Sequence, residues 1–205
     1  MIVLLKILIF APPAILAITL HEVAHGWAAN QLGDSTAARL GRLSLNPFKH
    51  IDPLGSVVIP AAVYLASGSF FGWAKPVPVN WRNLKHMPRD IALVAAAGPA
   101  SNLLMLAAWA VVLRLVGDAG LLGLMSWTGV FFNATIMLLN LIPIPPLDGS
   151  RIVTSLLPPR LAIAYNKVEP FGLVILAALL MGGVVGAILG PALKWIERVV
   201  QLLVA

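Results

Sequence analysis

The chain contains no cysteine, and only 11% of its 205 residues are charged. Without cysteine there is no disulfide bond and no thiolate ligand, so a transition metal must be held by histidine, aspartate or glutamate. With 60% hydrophobic residues, a soluble domain of this length would leave apolar surface that it could not bury. The composition therefore predicts an all-α polytopic membrane protein.

Acidic residues are also scarce, with eight Asp and Glu against 14 Lys and Arg, which gives a formal net charge of +6. In a membrane protein such an excess reports which loops face the cytoplasm and an attraction to anionic lipid. We therefore expect the lipid bilayer among the partners, and no nucleic acid. Any metal ligand must therefore be one of only eight acidic residues and four histidines.

The first hydrophobic stretch contains the motif HEVAH at residues 21–25, in a segment where Lys6 is the only other charge. On a helix, His21 and His25 project from one face and can share a metal ion, with Glu22 beside them. Neutral imidazoles suit Zn²⁺, and the glutamate can act as general base on a zinc-activated water. An ionisable group in a membrane span is functional by default, so a polar contact between helices is the weaker alternative.

The chain divides into segments of one membrane-embedded domain, residues 1–205. Each full crossing needs about 20 apolar residues, so we expect about four full transmembrane helices. The segments are an HExxH span at 1–30, a re-entrant or loop region at 31–90, two spans at 91–151, and a C-terminal region at 152–205. That last region is predicted to hold a span at about 171–189 and, beyond Pro191, an amphipathic tail in the membrane interface.

A third metal ligand is needed besides the two histidines. Asp148 follows a hydrophobic helix interrupted by three prolines, and irregular backbone at membrane depth is tolerated where it lines a protein cavity. This favours Asp148 as the ligand, while a turn residue in a solvated loop is the alternative left open. The candidates by chemistry alone are His50, Asp52, His86, Asp90, Asp118, Asp148 and Glu169.

Three motifs in this order resemble the site-2 protease family of intramembrane zinc metalloproteases, peptidase family M50, in its compact members without a PDZ domain. They are HEVAH in the first span, GPASN opening a later span, and NLIPIPPLDG closing the next. The resemblance covers about residues 20–151, including GRLSLNPFKHIDP and FGWAKPVPVN. It implies one Zn²⁺ per chain held by His21, His25 and Asp148, with Glu22 as catalytic base and with Asn102 and Asn140 in the site.

The asparagines have a physical role available to them. A carboxamide can donate to a developing oxyanion, or hold a substrate backbone, without bringing a charge into lipid. A structural bond between helices is the alternative for Asn102 and Asn140, and it is the favoured interpretation of Asn133. His50 could gate or supplement the metal, because histidine is the commonest metal ligand, although a loop role is favoured.

The resemblance implies an endopeptidase that hydrolyses peptide bonds in or near transmembrane segments of substrate proteins. A zinc-binding transporter or channel, and an inactive relative that binds membrane proteins without cutting them, are the alternatives. Residues 70–80 are predicted to form a hairpin-like strand that binds the unwound substrate by strand addition through Val77 and Val79. A plug over the site is the other interpretation of this segment.

Topology follows from the metal ligands. Zinc binding requires the C-terminal ends of the first span and of the span before Asp148 to lie on one side. If residues 54–67 cross fully, these ends lie on opposite sides; if the stretch is re-entrant, as its 14 residues favour, they meet. The basic loops then share one side, which the positive-inside rule makes cytoplasmic. We expect a multi-pass protein of a prokaryotic cytoplasmic membrane with its active site facing the cytoplasm.

Overall fold

The computed structural model describes residues 2–59, 61, 65 and 72–204. Over these residues regular structure is helical throughout, which confirms the predicted all-α class. The main helices are α1 (Ile2–Gln31), α2 (Thr36–Arg39), α3 (Arg89–Val116), α4 (Gly120–Asn140), α5 (Asp148–Leu156), α6 (Pro159–Asn166), α7 (Gly172–Met181) and α8 (Val184–Val204). Short turns of helix lie at Pro47–His50, Pro53–Val58, Trp81–Asn83 and Glu169–Phe171.

Within the part of the chain that the structure describes, four helical stretches are long and apolar enough to cross a membrane, which agrees with the expected number. They are Leu4–Gln31, Arg89–Val116, Gly120–Asn140 and Pro159–Met181. The last of these combines α6, the short turn Glu169–Phe171 and α7. The protein is therefore an integral membrane protein.

Helices α1, α3 and α4 pack against one another and form the centre of the molecule. α3 and α4 are antiparallel because only residues 117–119 separate them. The contact between the three helices contains polar side chains that are fully buried, including Asn102 and Asn133. α5 packs against α3, so the polypeptide after α4 returns to the end of the bundle where α1 ends.

Of the stretch 54–67, residues 54–59, 61 and 65 are described, and the chain on either side of it is described from residue 72 onward and up to residue 53. The amide of Trp73 donates to the carbonyl of Gly55 at 3.0 Å, and the hydroxyl of Ser56 donates to the carbonyl of Trp73 at 2.9 Å. The chain therefore leaves and returns at one place. Further along, the amide of Lys85 donates to the carbonyl of Leu32 at 3.2 Å, so α3 begins beside the end of α1.

The hairpin predicted at residues 70–80 is not formed by its described part, residues 72–80, which are extended but not in a strand. Residues 70 and 71 lie outside the described part of the chain. Two prolines, Pro76 and Pro78, remove backbone donors that a ladder would need. The amides of Trp73 and Lys75 instead donate to the carbonyls of Gly55 and His50 in the preceding loop.

The C-terminal boundaries also differ from the expectation of one span at 171–189 followed by a tail after Pro191. α7 ends at Met181, and α8 begins at Val184 and runs through Pro191 without a break. The break falls at Gly182 and Gly183 because Gly183 has φ 73°, a conformation that favours glycine. The apolar face of α8 packs on α3 and α4 through Val200, next to Leu106 and Ala134.

Candidate metal centre

Three potential ligand atoms meet where α1, α3 and α5 come together. Nε2 of His21 lies 3.3 Å from one carboxylate oxygen of Asp148, and Nε2 of His25 lies 3.3 Å from the other. The two Nε2 atoms are 3.1 Å apart. Tetrahedral zinc with bonds of about 2.0 to 2.1 Å requires ligand atoms about 3.3 Å apart. The three residues are therefore spaced as a zinc ion needs.

The hydrogen bonds of the two rings leave both Nε2 atoms free to bind a metal. Nδ1 of His25 lies 2.7 Å from the carbonyl of Val94, which can only accept, so this nitrogen carries the proton. Nδ1 of His21 lies 2.7 Å from Oδ1 of Asn102. In a neutral imidazole with a protonated Nδ1, the lone pair is on Nε2. Two such lone pairs 3.1 Å apart repel each other unless a cation or a proton lies between them.

The orientation of Asn102 is fixed by its other partners. Its amide nitrogen donates to the carbonyl of Ala17 at 3.1 Å and to Oδ1 of Asn133 at 2.9 Å. Asn133 is oriented in turn by its own donation to the carbonyl of Gly129 at 2.8 Å. Both amide hydrogens of Asn102 are thus used, and Oδ1 can only accept from His21. This chain of bonds holds the tautomer of His21 and leaves no donor on Asn102 for an oxyanion.

Gly98 explains how α3 can lie so close to the two rings. A Cβ built on Gly98 would lie 2.3 Å from Nε2 of His25 and 2.6 Å from Cε1 of His21. Real Cβ atoms essentially never approach so closely. A side chain at this position would fill the space between the ring atoms where a metal would lie, so glycine keeps that space open.

Asp148 is the first residue of α5, a position at which the helix dipole favours a carboxylate. The predicted break is confirmed, since α4 ends at Asn140 and a run of turns leads to Asp148. Oδ2 of Asp148 is buried and has no hydrogen-bond partner among the described residues. A buried carboxylate oxygen without a donor is costly unless a cation is bound. The donor set, its spacing and this oxygen all fit zinc.

Glu22 lies on α1 next to His21 in the chain and is half-buried. Its Oε2 accepts the backbone amide of Val77 at 2.7 Å. Val77 is itself buried, with 7% of its surface exposed. The extended segment at 72–80 therefore contacts the motif directly, through the main chain of one residue.

The remaining predicted site residues lie outside the three-residue cluster. The amide nitrogen of Asn140 donates to the carbonyl of Ile136 in its own helix at 3.0 Å. Nε2 of His50 lies 2.8 Å from the carbonyl of Ser44, which it can bind only as a donor. Val79 packs against a hydrophobic cluster that includes Val94.

Two residues of the centre are not among the sequence-predicted site residues. Gly98 belongs to the motif GPASN, and a glycine inside an apolar helix is the one signal that points to a packing reason at this position. Asn133 is predicted to contribute only packing polarity, because its place in the chain of hydrogen bonds depends on how α3 and α4 face each other.

A protein of Bacillus subtilis named "Putative zinc metalloprotease YwhC" is 38% identical over 189 residues, which cover 88% of this chain and 83% of that protein. The chain belongs to peptidase family M50. The sequence model of that family, Peptidase family M50, matches residues 114–183, a range that includes Asp148 and ends beyond α7.

A second relative is "Putative zinc metalloprotease Rip2" of Mycolicibacterium smegmatis, 30% identical over 172 residues, which cover 82% of this chain and 64% of Rip2. The chain thus spans slightly less than two thirds of the length of Rip2. No solved structure matches the chain significantly. Family membership confirms the resemblance predicted from the three motifs. This M50 member is a membrane-embedded zinc metalloprotease, and the cluster of His21, His25 and Asp148 can hold the metal.

Proposed function

We propose that this M50 protease is an intramembrane endopeptidase that cuts peptide bonds in or near transmembrane segments of other proteins. The observation that carries the proposal is the position of the cluster. His21 and His25 lie within the apolar stretch Leu4–Gln31, which is long enough to span a bilayer, and Asp148 meets them there. A reaction at this place acts on polypeptide that enters the membrane.

In the proposed mechanism, His21, His25 and Asp148 hold the metal and Glu22 is the general base. Zinc bound there would supply Lewis acidity, which polarises the scissile carbonyl and acidifies water. Glu22 takes the proton from the attacking water on its carboxylate and later passes it to the leaving amine nitrogen. The oxygen Oε2 accepts the Val77 amide at 2.7 Å, which leaves Oε1 as the proton acceptor.

The asparagines divide between two roles in this proposal. Asn102 acts through His21, since its side chain has no free donor, and it is a positioning residue. Asn140 uses one amide hydrogen for the carbonyl of Ile136 and has a second one for a substrate carbonyl or oxyanion. His50 supports the loop through the Ser44 carbonyl and has no part in the chemistry.

Support for an apolar substrate comes from a groove of about 320 Å³ between α1 and α3. Its residues on α1 include Leu20 and Val23, which flank His21 and Glu22. Trp27 and Leu104 at this groove are 59% and 72% exposed. A single apolar helix of a substrate could lie in it beside the HEVAH turn. The lining residues are Leu20, Val23, Ala24, Trp27, Ser101, Leu104 and Met105.

We also propose that the site faces the cytoplasm of a prokaryotic cell. Of the 14 Lys and Arg residues, all but Lys6, Arg114, Lys194 and Arg198 lie between the end of α1 and the first residue of α3, or between α4 and α7. We infer that these two parts of the chain meet at one end of the bundle. Contacts support this placement, since Arg151 lies over the ring of Trp81 with 5.7 Å to its centroid. Loops rich in Lys and Arg remain cytoplasmic.

The proposal is tested with purified protein in lipid vesicles and a panel of single-span test polypeptides tagged at both ends. We expect cleavage within or near the span that stops with a chelator, returns with Zn²⁺ and is lost in Glu22→Gln. Metal flux across the vesicle without cleavage would indicate a transporter. Stable binding of the polypeptides without cleavage by metal-loaded protein would indicate an inactive relative.

A further inference from the structure

The segment at residues 72–80 presents a regular series of backbone amides toward the metal-binding end of the bundle. In an extended chain, alternate residues face the same side. The amides of Trp73 and Lys75 donate to the carbonyls of Gly55 at 3.0 Å and His50 at 2.9 Å. The amide of Val77, next in the series, donates instead to the carboxylate of Glu22 at 2.7 Å.

Val77 has the one backbone donor in the short stretch where the segment crosses α1. Pro76 and Pro78 on either side have none, and their rings fix φ and stiffen the chain. A bond from an amide to a carboxylate is charge-assisted and stronger than a neutral one. The contact thus fixes one oxygen of Glu22, while the other remains available.

Two charged residues hold the segment on either side of this contact. Nη2 of Arg42 donates to the carbonyls of Lys75 at 2.9 Å and Pro76 at 3.3 Å. Oδ2 of Asp34 accepts the amide of Asn80 at 2.7 Å. Asp34 is fully buried, and it also accepts from the side chain of Asn83 at 2.8 Å.

Gly26, next to His25, supports the same arrangement from the side of α1. A Cβ at Gly26 would lie 2.8 Å from Cγ1 of Val77 and 2.6 Å from Cδ2 of Leu43. Such distances force a displacement of the neighbouring atoms. The absence of a side chain at position 26 allows the segment to lie close enough for its amide to reach Glu22.

We propose that Asp34 and Arg42 are positioning residues for the reaction, which hold residues 72–80 against α1 so that the Val77 amide orients the carboxylate of Glu22. The inference rests on the proposed role of Glu22 as general base. A base must be held in a narrow range of positions relative to the water that it deprotonates. Releasing either end of the segment leaves the metal ligands in place but frees Glu22 to rotate.

The test compares Arg42→Gln and Asp34→Asn with the matched controls Arg39→Gln and Asp118→Asn, whose wild-type side chains are exposed. Each protein is loaded with zinc in lipid vesicles. Zinc content, amide hydrogen exchange of residues 73–80, and kcat and KM for one cleaved single-span polypeptide are measured.

We expect both variants to retain zinc, to exchange faster at residues 73–80 and to lose about tenfold in kcat, the value of one charge-assisted hydrogen bond, with KM within about twofold. Arg42→Lys, which can still donate to a carbonyl, should recover part of the kcat. The two controls should match the wild type. Glu22→Gln should also speed hydrogen exchange of the Val77 amide, and this can be measured although the variant is inactive.

Three results would overturn the inference. One is faster exchange at residues 73–80 in Arg42→Gln with an unchanged or increased kcat, which would make the segment a plug. Another is a fall in kcat that follows loss of zinc. The third is unchanged exchange of Val77 in Glu22→Gln. If the zinc-loaded wild type cuts no test polypeptide, the proposed function is wrong and the inference fails with it. If the wild type cuts a test polypeptide and any of the three results is found, only the inference is wrong.

Discussion

Replacing Gly98 by alanine should abolish tight zinc binding while the protein remains folded. The new Cβ would lie 2.3 Å from Nε2 of His25 and 2.6 Å from Cε1 of the same ring, whereas ordinary contact begins near 3.4 Å. One ring or α3 itself must therefore move by about 1 Å, five times the tolerance of about 0.2 Å in metal–ligand distances. Removing the hydrogen-bond partner of a metal ligand already lowers metal affinity by about 10- to 100-fold. Moving a ligand itself should therefore lower zinc affinity by about 100-fold or more.

Gly186→Ala is the matched control because it also lies inside a helix, α8, where a Cβ would meet nothing within 4 Å. In both helices alanine is intrinsically more favourable than glycine by about 1 kcal/mol. Neither substitution should therefore destabilise its helix. A difference in zinc affinity between the two variants then reports only the effect of filling the space between the two rings.

The assay is competition for zinc with a chromophoric chelator, alongside thermal unfolding of the metal-free proteins in the same detergent. We expect Gly186→Ala to match the wild type and Gly98→Ala to bind zinc about 100-fold or more weakly, with a metal-free unfolding temperature near that of the wild type. If Gly98→Ala binds zinc as tightly as the wild type, the metal does not lie between His21 and His25, and the reasoning is wrong.

Further expectations follow from the same geometry. Asn133→Leu removes the acceptor for Asn102, so zinc affinity should fall about tenfold by chelator competition, and unchanged affinity would exclude the bonding chain as a support of His21. Asp148→Asn should lose zinc to dialysis far faster than Asp118→Asn, and equal retention would remove Asp148 from the ligand set. Burial alone would raise the pKa of Asp34, but hydrogen bonds from Thr36, Asn83 and Asn80 hold the pKa below its ordinary value of 3.8. The stabilisation that the ionised Asp34 gives to residues 72–80 is therefore fully present above pH 3.8. It is lost as the pH falls through the pKa of Asp34 in the folded protein, which is lower. Hydrogen exchange there, corrected for intrinsic rates, should be constant from about pH 5 to 8 and rise only in strong acid; a rise near pH 6 would contradict this sign.

The sequence was sufficient to predict the membrane class and the three residues of the candidate metal cluster, which lie in motifs. HEVAH needs only helical spacing to bring His21 and His25 to one face, and the prolines before Asp148 show where α4 must end. The requirement that these ends share one side of the membrane agrees with the cluster that the structure contains.

Features that depend on contacts between distant segments could not be read in this way. The bond from Val77 to Glu22 joins residues 55 positions apart, and that from Asn102 to His21 joins residues 81 positions apart. Period-two alternation at residues 70–80 predicted a strand, but alternation does not show that Arg42, Asp34 and the loop before Pro53 hold the extended chain. At the C-terminus the sequence predicts a tail that begins beyond Pro191, but the helix breaks at Gly183 and continues through Pro191.

X-ray absorption at the zinc edge of the purified protein in lipid tests directly whether the metal lies in the cluster. We expect one zinc per chain with two imidazole nitrogens and carboxylate oxygen at about 2.0 to 2.2 Å, and the loss of one imidazole from the spectrum in each of His21→Ala and His25→Ala. A stoichiometric zinc whose spectrum is unchanged in both variants would show that the metal is bound elsewhere, and would contradict the account.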